Sequence, residues 1–182
     1  MIKIVQTALL LALVFGFTHQ ADAALLIEPV VGYNLGAKVE GDDDTVKGSG
    51  PAFGGRLGYQ YLGFQVGADY LNSKLDLDNW SKDLNLTEWA GFVGFEFPVL
   101  LRVYAGYIFS ATGEGKINGV KTELTNGSGT KVGVGFTPLP LIDINLEMRQ
   151  GTFDDGKFGG VKFNDKTDYR TYMISLSLPF TL

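Results

Sequence analysis

The 182-residue chain has no cysteine, so no disulfide braces it and thiolate nucleophiles, redox pairs and thiolate metal sites are all excluded. Its single histidine, His19, falls within an amino-terminal leader. Once that leader is cut away, imidazole too is lost as general base or metal ligand. Basic excess is missing as well: the net charge is −5, which argues against nucleic acid as a partner, because nucleic acid demands a basic footprint. Beyond the amino terminus, no apolar run approaches the roughly 20 residues of a membrane-spanning helix. A mature chain that enters a membrane must therefore do so as strands.

The leader has the parts of a secretory signal. Lys3 precedes an apolar run over 4–17, and Ala21-Asp22-Ala23 has the small-x-small form of a cleavage site. This predicts a cleaved signal peptide over 1–23 and one mature domain over 24–182.

What the mature chain does have is alternation. In 172–182, Tyr172, Ile174, Leu176, Leu178, Phe180 and Leu182 share one parity, and Ser175, Ser177 and Thr181 share the other. A period of two predicts a strand with one apolar face. Seven further runs repeat the pattern, beginning near Leu25, Phe53, Phe64, Trp89, Leu101, Val132 and Ile142. Their connections alternate between long, polar stretches (37–50, 76–85, 112–129 and 153–167) and short links near Leu62-Gly63, Pro98-Val99 and 138–140. Such a meander puts every long connection at one end, the asymmetry of outer-membrane barrels. The predicted fold is all-β: an eight-stranded antiparallel up-and-down transmembrane β-barrel, closed by pairing of its first and last strands.

The less apolar faces decide which side is the interior. They carry glycines at strand centres, such as Gly58, Gly67, Gly106, Gly133 and Gly135, and charges of both signs: Glu28, Arg56, Asp69, Glu88, Glu96, Arg102, Lys131, Asp143, Glu147 and Arg149. In a soluble lipocalin-like barrel, the competing reading, those glycines would face water and weaken the strands to no purpose. In a membrane barrel, glycines and paired charges share a narrow lumen. The opposite face then meets lipid, with Tyr33, Tyr61, Phe64, Tyr70, Trp89, Phe97, Tyr107, Phe109 and Phe180 as aromatic girdles.

On these residues the chain resembles the small eight-stranded outer-membrane barrels of the OmpX type and the OmpA transmembrane domain. Ile174, Leu176, Leu178, Phe180 and Leu182 look like the carboxy-terminal assembly signal of such proteins, although Leu182 stands where they usually end in Phe or Trp. The resemblance implies location in the bacterial outer membrane, contact with outer-membrane lipid, recognition by the outer-membrane assembly machinery, and surface exposure of the long connections to an unidentified partner. Enzymes among relatives commonly use a histidine, which the mature chain lacks. Asp143 and Glu147 beside Arg149 are expected to be structural rather than catalytic. Asp42, Asp43 and Asp44, with Asp154 and Asp155, are expected to be solvated loop acids rather than calcium ligands. No cofactor and no metal site is expected. The leading expectation is a non-enzymatic barrel with a charge-plugged lumen and a structural or surface-interaction role. The alternative is a passage or binding barrel for small or hydrophobic molecules of the OmpW type, suggested by Val30, Phe92, Tyr104 and Ile108 on the lumen face, and a third reading is a soluble periplasmic ligand-binding barrel.

Overall fold

A computed structural model describes residues 23–40, 45–78, 82–117, 119–139, 141–163 and 166–182. The predicted signal peptide, with His19, lies outside them except for Ala23, and so do Asp42, Asp43 and Asp44. The strands are β1 (Ala24–Glu40), β2 (Thr45–Tyr61), β3 (Phe64–Leu77), β4 (Lys82–Phe97), β5 (Leu101–Ile117), β6 (Val120–Leu139), β7 (Ile142–Phe158), β8 (Val161–Phe163), β9 (Thr167–Ser177) and β10 (Phe180–Thr181). β1 to β7 pair with their sequence neighbours antiparallel, and β9 pairs with both β7 and β1. That closes a ring of eight staves, with β8 a short addition to the top of β7.

The last stave continues past Pro179, which has no N–H to donate, into β10. Phe180 lies opposite Ile27, and Leu25 and Leu182 exchange both backbone hydrogen bonds, at 2.9 and 3.0 Å. Pairing of the first and last staves therefore runs to Leu182, which satisfies the β1 edge that a bilayer would otherwise penalise. At the same end of the barrel, Leu62 and Gly63 both take positive φ (48° and 82°), the backbone of a two-residue hairpin turn whose twist matches its strands.

One expectation is corrected. The four polar stretches predicted as long loops are mostly strand: β1 runs to Glu40, β2 starts at Thr45, β5 and β6 meet across Ile117 and Val120, and β7 continues to Phe158. The barrel thus stands well above the length that lipid requires. Its faces exchange character along the axis. In β3, Phe64, Val66 and Ala68 point outward and Gln65 and Asp69 inward; from Leu71 upward, Leu71, Leu75 and Leu77 point inward and Lys74 and Asp76 outward. β4 mirrors this, with Leu84 and Leu86 buried inside and Asn85 exposed. Bulges in β1 near Leu35 and in β5 near Phe109 sit at the same level, where they re-aim the strands.

Each half follows from its surroundings. In lipid the outside must be apolar, whereas above lipid the hydrophobic effect drives apolar side chains inward, as in any water-soluble core. Thr122, Leu124, Phe153, Tyr169, Ile108, Ala111 and the β3 and β4 leucines fill that upper interior.

Candidate functional site: the filled lumen

Below the apolar upper interior, the charged side chains predicted from parity converge. Glu28, Arg56 and Asp69 lie in one register row across β1, β2 and β3. Arg56 spans three carboxylates: Nη1 donates to Glu28 (2.9 Å), Nε to Asp69 (3.1 Å) and Nη2 to Glu147 (3.0 Å). Asp69 in turn accepts from Lys131 and Arg149, each at 2.6 Å. Arg149 also donates to Glu147 and to Glu88, and Arg102 joins Glu28 (2.6 Å) to Asp143 (3.2 Å). Nine of the ten predicted charges are buried. The exception is Glu96, half-buried near the short turns, which accepts from the amides of Gln60 and Gln65 and has no cationic partner among the described residues.

Desolvating this many charges is tolerable only when the remaining lone pairs and N–H groups are also met. Uncharged side chains supply much of this. Ser177 donates to Glu28, Asn145 accepts from Arg102 and donates to Ser177, and Thr137 donates to Asp143. Tyr104 accepts from Arg56, whose guanidinium lies 4.4 Å from the ring centroid, a cation–π contact. The ring fits because its neighbour is glycine: a Cβ at Gly133 would lie 2.6 Å from Tyr104 Cε2. Gly135 likewise admits Asn145, whose Oδ1 would be 2.7 Å from a Cβ there.

Tyr169 joins the two halves. Its ring packs on Phe153 with centroids 5.0 Å apart, and its hydroxyl donates to Glu88 at 2.7 Å. It escaped the sequence reading because the last strand was expected to begin later, yet it shares parity with Ser175 and Ser177. Tyr169→Phe is expected to cost about 1.5–3 kcal/mol, the range for a lost hydrogen bond to a charged group, measured by urea unfolding of the barrel in vesicles.

Of the predicted girdle residues, Tyr33, Tyr61, Phe64, Trp89, Phe97, Tyr107, Phe109 and Phe180 are exposed on the outer face. Tyr70 is half-buried against Trp89, ring centroids 4.8 Å apart. Asp155 accepts from the Asn126 amide, and the described residues include no cluster of carboxylates or imidazoles able to hold a metal. At the upper rim Lys121 and Lys157 flank Glu123, and the hydrogen bond from Lys121 holds the Glu123 carboxyl below its usual value.

A closed ring of eight antiparallel strands, apolar outside around its lower part, defines a transmembrane β-barrel. The sequence matches the outer membrane protein beta-barrel domain family over residues 7–180; the chain belongs to that family and lies in the bacterial outer membrane. Its fold is similar to that of Neisserial surface protein A (TM-score 0.58, 17% identity, covering 87% of this chain and 99% of that one). It is also similar to Ail, the attachment invasion locus protein of Yersinia pestis (TM-score 0.56, 12% identity, 85% and 98% covered). A further Ail structure, in complex with the heparin analogue sucrose octasulfate, gives a TM-score of 0.58 at 14% identity, with 86% and 99% covered. No curated protein sequence matches.

Proposed function

We propose that this is a non-enzymatic outer-membrane barrel whose lumen is closed and whose role is exercised by the part standing above the lipid. The observation that carries the reading is the filled interior, an ion-paired layer of nine buried charges beneath an apolar core. An eight-stranded barrel has an interior only wide enough for side chains to fill, and here those side chains bond to one another. Val30, Phe92, Tyr104 and Ile108, which suggested a hydrophobic passage, are buried within this packing; Lys131 lies 5.6 Å from the Phe92 ring centroid. The carboxylates Asp143 and Glu147 are each bound to arginine, which supports a structural role for both.

Above the lipid, cross-strand rows such as Lys116–Lys121 and Lys157–Lys162 stand at the rim. Ail was crystallised with a sulfated sugar, and these rows support an anionic surface partner here too. Planar-bilayer recording tests the closed lumen. Pure protein is expected to leave the membrane at baseline current, and reproducible, large, long-lived conductance would sink the reading.

A further inference from the structure

The short turns share an unusual backbone. Leu62, between β2 and β3, Leu100, between β4 and β5, and Leu141, between β6 and β7, all take positive φ (48°, 64° and 69°). Among the described residues, Asn126 alone joins them outside glycine. Left-handed backbone is awkward for a bulky side chain and is ordinarily given to glycine, asparagine or aspartate. Leucine in every one of these turns therefore calls for a benefit that comes from the side chain itself. None of the three packs inward; each is about half exposed.

The rest of that end is equally apolar. Pro98, Val99, Pro138 and Leu139 flank the leucines and are exposed, as are Tyr61, Phe64, Phe97 and Leu101 just above them. The charged side chains nearest the turns, Glu96, Arg102 and Asp143, point into the lumen, where Gln60, Gln65, Glu28 and Thr137 meet them. Among the described residues the exposed charges, Lys38, Lys74, Glu114 and Arg170 included, all lie toward the opposite end.

Height points the same way. Outward apolar side chains extend from Tyr172 to Leu182 on β9 and β10, but only from Phe64 to Tyr70 on β3 and from Ile142 to Met148 on β7. At ~3.4 Å per residue and a tilt of ~40°, the shorter faces rise roughly 15 Å, against the ~25 Å apolar band of such barrels. Apolar turns continue that surface downward.

We propose that the turns are seated in the inner leaflet, with Leu62, Leu100 and Leu141 among phospholipid acyl chains rather than in the water of the periplasm. The occupant follows from continuity. These leucines prolong the face that already meets lipid, and nothing polar separates the two, whereas a docking site for a water-soluble protein carries a polar rim. Burial in acyl chain gives each leucine a return that offsets its awkward backbone. Anchors at alternate hairpins then hold the barrel at the depth that lifts its upper half clear of the lipid.

Single variants Leu62→Cys, Leu100→Cys and Leu141→Cys of the otherwise cysteine-free chain test the depth. Each carries a nitroxide in phospholipid vesicles, and its collisions with dissolved oxygen, which concentrates in lipid, are compared with those of a water-soluble nickel chelate present on both sides. All three labels are expected to favour oxygen as strongly as a label at Phe64→Cys on the lipid face, while Lys74→Cys favours the chelate. Asparagine gives a second readout, because it suits the left-handed backbone. In water, Leu62→Asn and Leu141→Asn would raise the urea midpoint of unfolding; in lipid they are expected to lower it despite easing the backbone. Folding of each variant is checked by its heat-dependent gel shift. Turn labels that favour the chelate, turn labels shielded from both colliders by a protein partner or a second copy, or asparagine variants with raised midpoints would each overturn the proposal.

Discussion

Replacing Asp69 by alanine is expected to destabilise the barrel by about 3–5 kcal/mol, the cost of removing one partner from a buried ion pair. The reason is concentration of contacts. One carboxylate accepts from Arg56, Lys131 and Arg149, so its loss removes a partner from three buried cations at once; Glu28, Glu88 and Glu147 still pair with them, but none of the three can turn to water. Lys74→Ala supplies the contrast. Lys74 pairs with Asp83 at 3.3 Å, but both side chains are largely exposed, and such pairs contribute about 0–1 kcal/mol. Urea unfolding in lipid vesicles, followed by gel shift, should separate the two variants clearly. Similar midpoints would mean that the lumen charges are hydrated rather than held by one another.

Phe153→Ala is expected to cost about 3–5 kcal/mol as well, the range for deleting a buried aromatic side chain. Phe153 is 1% exposed inside the upper barrel, against Tyr169 and beside Gly127, where a Cβ would come within 2.7 Å of its ring. Its energy has a different origin from that of Asp69. This region stands above the lipid, so the unfolded chain exposes the ring to water, and burial is driven by the hydrophobic effect. The same unfolding assay measures it. A loss below about 1 kcal/mol, the level of a tolerated volume-conserving swap, would mean that the upper interior is loosely packed.

Much of this architecture was legible because strand parity is local. A residue's neighbours at two positions either side tell which face it shares, and so Arg56, Lys131 or Glu147 could be assigned inward one strand at a time. Partners were not legible. Arg102 and Glu28 are 74 positions apart and Arg149 and Asp69 80 apart; they meet only because the ring closes with a particular stagger. Glu96 shows the limit, since its cross-strand neighbour is Arg102 yet its hydrogen bonds go to Gln60 and Gln65.

The upper barrel was missed for another reason. Lys74, Asp76, Asp83 and Asn85 made 76–85 and its flank look like loop, although Leu75, Leu77, Leu84 and Leu86 alternate with them. Alternation persisted while the apolar set moved to the other parity. That is what a strand does on leaving lipid for water, and a search for one apolar face per strand cannot see it.

The exchange of faces and the filled interior are tested together by the adjacent residues Ser73 and Lys74, in the upper half of β3. Ser73 points inward and is 1% exposed; Lys74 points outward. Because the chain has no cysteine of its own, single variants Ser73→Cys and Lys74→Cys can be labelled on intact cells with a membrane-impermeant maleimide. Rapid labelling of Lys74→Cys with Ser73→Cys left unmodified is the predicted outcome. Equal labelling of both would contradict a closed lumen, and protection of Lys74→Cys would contradict a barrel that stands above the lipid.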